Sequence, residues 1–221
     1  LESLLMNCLN EGDLITVGTV NKEEGNRVEL LKDKKVSFLD GDEAIFKNNE
    51  IIGHSSYGTA LKFFPEIKDY YSFGVLRNPF DRCVSSFRWI KKKRLAELLE
   101  TLTGEELSKR VRGEFLRYVK NGHGQLNGRG RDLLQSTDTS GQSWSVSNIY
   151  QMENLSRLES EFNTNTGLSI DISKMPRYKS NTPKIPDNID IWGKKAIDIV
   201  SLRHAWEIKI FNYKAPVSTN E

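Results

Sequence analysis

At 221 residues, 37% hydrophobic and 28% charged, the chain can bury one sizeable α/β or α+β core and is no low-complexity tail. No apolar run approaches the ~20 residues that span a bilayer, so no membrane segment is expected in this chain. The net charge of +2 is too small to argue for a nucleic-acid partner by itself, and any bound polyanion has to be met by local clusters.

The first twelve residues, LESLLMNCLNEG, carry Leu1, Leu4, Leu5, Cys8 and Leu9 at helical spacing, with Gly12 as the stop. A helix opening with neither a cap nor a leader is an unusual start, so residues upstream of Leu1 are expected. Asp13 to Val20 (DLITVGTV) reads as a strand, and GNRVELLKDKKVSFL holds one or two shorter ones. SSYGTALKFFPEI is a short helix interrupted near Pro65. Tyr71 to Leu76 is an aromatic and apolar strand.

Pro79 starts the next helix where a missing N–H costs nothing, Asn78 is its cap, and Asp81 completes an acidic capping box. Phe80, Cys83, Val84 and Phe87 form the buried stripe. That helix can continue through KKKRLAELLETL, with another over EELSKRVRGEFLRYVKN. Gly122 to Ser145, rich in Gly, Ser, Asn and Gln, reads as a long surface loop. A late strand, NIYQMENL, precedes the helix LSRLESEFNTNTG, which Gly167 ends. KMPRYKSNTPKIP is a basic, Pro-bounded loop, and IWGKKAIDIVSLRHAWEIKIF supplies two final helices. With no internal repeat and no clear linker, residues 1–221 read as a single domain, cut at its N-terminus. Cys8 and Cys83 both fall in apolar helical patterns and read as buried thiols, which points to a reducing, cytoplasmic setting.

A helix N-terminus just after a strand favours an anion. Arg77 stands at that junction, a permanently charged planar fork suited to phosphate. Ser85, eight residues on and off the apolar stripe, can aim a hydroxyl at the same oxygens. Spacing alone serves equally well a sheet-edge arginine beside an ordinary surface serine.

FGVLRNPFDRCVSSF closely resembles the 3′-phosphate signature of sulfotransferases that use PAPS (3′-phosphoadenosine 5′-phosphosulfate), in particular the carbohydrate sulfotransferase type. The resemblance extends to IIGHSSYGTALKFF, LLQSTD, SNIYQMENLSRLESEF, KMPRYKSNTP and AWEIKIFNYK, nearly the whole chain. It implies a P-loop-like α/β fold, with a central, mostly parallel sheet flanked by helices. It implies PAPS as co-substrate, with Arg77 and Ser85 on the 3′-phosphate and Arg177, Lys179 and Ser180 finishing the cage. His54 falls where the family has its histidine and, by that resemblance, is the general base. The implied acceptor is a hydroxyl, or an amine, on a carbohydrate. No metal is required, and a eukaryotic member would work in the Golgi lumen.

The family's Gly- and Ser/Thr-rich phosphosulfate loop and its lysine have no counterpart here, and LESLLMNCL looks like the helix that follows them. His123 and His204 read as structural, and WIKKKR as solvated surface or a basic face for an acidic acceptor. Two other classes stay open: a P-loop-type kinase, and a nucleic-acid-binding module using the basic helices, which the small net charge disfavours.

Overall fold

The computed structural model describes residues 65–122, 146–175 and 182–218, together with the backbone of two short strands near the N-terminus. In chain order the elements are β1 (Leu14–Ile15), β2 (Ser37–Phe38), a 3-10 turn (Pro65–Asp69), β3 (Phe73–Leu76) and the helices α1 (Pro79–Ile90), α2 (Lys92–Thr101) and α3 (Gly104–Lys120). They are followed by β4 (Asn148–Gln151), α4 (Ser156–Thr166), a second 3-10 turn (Ile172–Lys174), α5 (Lys194–Arg203) and α6 (Ala205–Phe211).

The described strands form two pairs, β1 with β2 and β3 with β4. β1 and β2 run parallel, Leu14 opposite Ser37. The Asn148 N–H bonds Ser72 O at 3.2 Å and the Met152 N–H bonds Leu76 O at 2.7 Å. The equal offset at both ends makes β3 and β4 parallel as well. Mixed helices with a small parallel sheet are compatible with the expected α/β class, although among the described residues each sheet has two strands.

The chain divides into two compact units, one of residues 1–74, 131–150 and 154–176, the other of 75–130, 151–153 and 177–221. In the first, the Tyr150 hydroxyl lies 2.5 Å from that of Tyr71 and donates to Glu161 Oε2 at 2.6 Å. Phe73 meets Phe162 edge-on at 6.1 Å, so the faces of strand and α4 are joined by both polar and aromatic contacts. Gly167 closes α4 in the left-handed conformation, φ 68°, which glycine adopts without the cost a Cβ would bring.

The second unit is mostly helical, with an aromatic centre. Phe115 stacks edge-on against Phe87 at 5.2 Å and against Trp192 at 4.8 Å, and Trp192 meets Phe80 at 5.4 Å. Phe80, Cys83 and Phe87 are buried as the stripe predicts, while Val84 is half-buried. Burial pushes the Cys83 thiol up to about 11, against a smaller opposing pull from Arg82, so it is an inert core residue. Cys8 lies outside the described residues.

The helix of Pro79 does not run on through the lysines. Lys91 leaves helical geometry at φ −101°, ψ 19°, and the bend starts α2 anew, placing Leu95 and Leu98 in the same core cluster. The late strand is also shorter than expected and ends at Gln151. The two C-terminal helices form as predicted.

His204, between α5 and α6, is buried with Arg82 and Glu207. Arg82 Nη2 donates to Glu207 Oε1 at 3.0 Å, and His204 Nδ1 lies 3.1 Å from that oxygen and 3.2 Å from Arg82 Nη2. The guanidinium only donates and the carboxylate only accepts, so the imidazole tautomer decides which neighbour Nδ1 serves. This cluster ties α1 to the C-terminal helices.

Candidate functional site

β3 ends at Leu76, which is buried, and Arg77 is the first exposed residue after it. Asn78 caps α1 as the sequence predicts, its Oδ1 accepting the Phe80 N–H at 3.0 Å, with Pro79 in the first turn. The second half of the expected capping box is different. The Asn78 N–H donates to Glu153 Oε1 at 2.7 Å, not to Asp81. The parallel pairing explains this: Leu76 O holds the Met152 N–H, and the next residue along is delivered beside Asn78.

This changes the basis of the anion site. The Asn78 and Phe80 amides are taken by protein side chains, and Pro79 has no N–H to offer. A ligand here is therefore met chiefly by side chains, without help from the Asn78 and Phe80 amides.

Those side chains share a cavity of about 340 Å³. One wall is the α1 face carrying Asp81, Val84, Ser85 and Arg88, at i, i+3, i+4 and i+7, with Arg77 at its head. Ile185, Pro186, Asp187, Ile189, Ile191 and Trp192 make the other wall. Arg77 and Ser85 are thus brought to one cavity. Both are exposed, and neither forms a hydrogen bond or ion pair with another described residue. The Asp81 and Asp187 carboxylates line the same space and oppose an anion. Asp187 is paired with Lys184 at 3.5 Å and the Arg88 fork is engaged by backbone carbonyls, so among the described residues Arg77 is the cavity cation left to meet a ligand.

Arg88 is the residue that motif reading passed over. Its Nε donates to Pro183 O at 2.9 Å and its Nη2 to Thr182 O at 3.3 Å. The signal available in the sequence was the spacing Asp81, Ser85, Arg88 along one helix face. Glu153, exposed and assigned no role from the sequence, bonds Asn78 and also accepts from the Tyr213 hydroxyl at 3.4 Å. His54, Arg177, Lys179, Ser180 and His123 lie outside the described residues.

A second cavity, of about 470 Å³, opens between α3 and the start of α5, lined by Leu116, Ile191 and Ala196 with Arg112, Lys194 and Lys195 at its rim. Among the described residues no three His, Cys, Asp or Glu side chains come together as metal ligands, and no helix is long and apolar enough to cross a membrane.

A comparison with family models matches residues 42–213 to the sulfotransferase family. No curated protein and no solved structure matches the chain. The match covers well over half of the sequence and includes the strand, the helix α1 and both walls of the Arg77 cavity. The chain belongs to the sulfotransferase family, whose members transfer sulfuryl groups.

Proposed function

We propose that this protein, as a single sulfotransferase domain, moves a sulfuryl group from PAPS to a hydroxyl or amine of a carbohydrate acceptor. The observation that carries the reading is the placing of Arg77 and Ser85, without protein partners among the described residues, on one side of a single cavity. The Arg77 fork suits two phosphate oxygens at once, and Ser85 adds a hydroxyl from the second turn of α1. Arg177, Lys179 and Ser180 complete the cage in this reading.

In the transfer, the acceptor oxygen bonds to sulfur as the bond from sulfur to the bridging phosphate oxygen breaks, and 3′-phosphoadenosine 5′-phosphate (PAP) leaves. His54 takes the acceptor proton, and fixed cations stabilise the charge on the leaving phosphate. The acceptor is a carbohydrate by family resemblance, and the Lys91 to Arg94 run suits an acidic one. A metal plays no part in this scheme.

Calorimetry with PAP and with adenosine 5′-phosphosulfate, which lacks the 3′-phosphate, tests the reading. Charge-assisted hydrogen bonds are worth about 1.5–3 kcal/mol each, so Arg77→Ala weakens PAP binding at least tenfold and Ser85→Ala less. Adenosine 5′-phosphosulfate binds weakly and is nearly indifferent to both changes. Parallel losses for the two nucleotides, or a preference for ATP over PAP, would overturn it.

A further inference from the structure

The wall of the Arg77 cavity opposite α1 has no regular secondary structure. From Thr182 to Trp192 the backbone is extended or turned, and such a segment keeps its place only where its polar groups and side chains find fixed partners. Its downstream end has several. Trp192 is wedged between Phe80 and Phe115, its own N–H donates to Asp190 Oδ1 at 2.8 Å, and Arg112 Nε donates to Asp190 O at 3.1 Å. At the upstream end, Arg88 supplies the hydrogen bonds that tie the backbone to a helix, those to Thr182 O and Pro183 O. The Lys184–Asp187 ion pair, at 3.5 Å, is exposed and internal to the segment.

Arg88 projects from the same face of α1 as Ser85, one turn on, and lines the same cavity. We infer that Arg88 is a positioning residue for the nucleotide site: its fork holds the Thr182–Pro183 backbone and so fixes the distance of the wall bearing Ile185, Pro186 and Ile189 from Arg77 and Ser85. This rests on the reading of that cavity as the nucleotide site. Lysine cannot replace it fully, because one ammonium lacks the rigid pair of donors that spans two successive carbonyls. The wall acts on whatever body fills the cavity, so the role of Arg88 is separable from that of Arg77, which reads the phosphate.

The test uses the whole protein and the variants Arg88→Ala and Arg88→Lys. Hydrogen exchange at the Ile189 amide, which donates to Pro186 O at 3.0 Å, accelerates at least tenfold in Arg88→Ala, while α1 and α3 keep their protection. PAP and adenosine 5′-phosphosulfate lose affinity by the same factor, about five- to tenfold, in contrast to the selective loss expected for Arg77→Ala. Arg88→Lys falls between wild type and Arg88→Ala in both measurements. Unchanged exchange at Ile189 overturns the inference, and so does a loss confined to PAP, which would put Arg88 on the phosphate instead. If the wild type fails to bind PAP at all, the nucleotide reading fails, whereas the exchange experiment still judges whether Arg88 holds the wall.

Discussion

Glu153 Oε1 accepts the backbone N–H of Asn78 at 2.7 Å, joining the exit of β4 to the start of α1 across 75 residues of sequence. The carboxylate completes the N-cap and sets the backbone immediately after Arg77. Helix caps are worth about 0.5–2 kcal/mol, and Glu153 is exposed, so Glu153→Ala is expected to cost about 1 kcal/mol in urea unfolding. Asp81→Ala should cost less, since Asp81 does not serve the Asn78 amide. The reverse order would restore the local capping box and remove Glu153 from the junction.

The Arg82–Glu207 pair predicts a particular acid response. Burial pushes the Glu207 carboxyl up, but its bonds from His204 and Arg82 outweigh this and hold it below its ordinary 4.5. A lowered folded value means the folded state favours the charged form, so this contribution is fully present above pH 4.5 and fades as pH falls through the lower folded value. Glu207→Gln leaves Arg82 buried without a counter-charge, at a cost of about 3–5 kcal/mol near neutral pH. Chemical unfolding between about pH 3 and 7 should show the gap between wild type and variant narrowing below 4.5. A gap constant with pH would mean that the charge of Glu207 contributes nothing.

His54→Ala is expected to lower the sulfuryl-transfer rate by ~10²–10⁴, the usual contribution of one general base. Affinity for PAP should stay within a few-fold, because a base acts on the acceptor and not on the nucleotide. Rate assays alongside calorimetry separate the two effects. Full activity in the variant would shift the base to an acidic side chain.

Features governed by neighbours a few residues apart were open to reading from the sequence. The Asn78 cap with Pro79, the buried stripe of Phe80, Cys83 and Phe87, and the left-handed stop at Gly167 all follow from local backbone geometry. Helical periodicity specifies which side chains share a face, whatever lies opposite. What lies opposite was decided by tertiary structure. Glu153 replaces Asp81 at the Asn78 amide because β4 pairs parallel with β3. Arg88 reaches carbonyls 94 and 95 residues away, and Arg82 meets Glu207 across 125. A hydrogen-bonding side chain carries no mark of its distant partner. The pairing depends on where packing brings remote segments back, and in the second unit the Phe80, Phe87, Phe115 and Trp192 cluster fixes that.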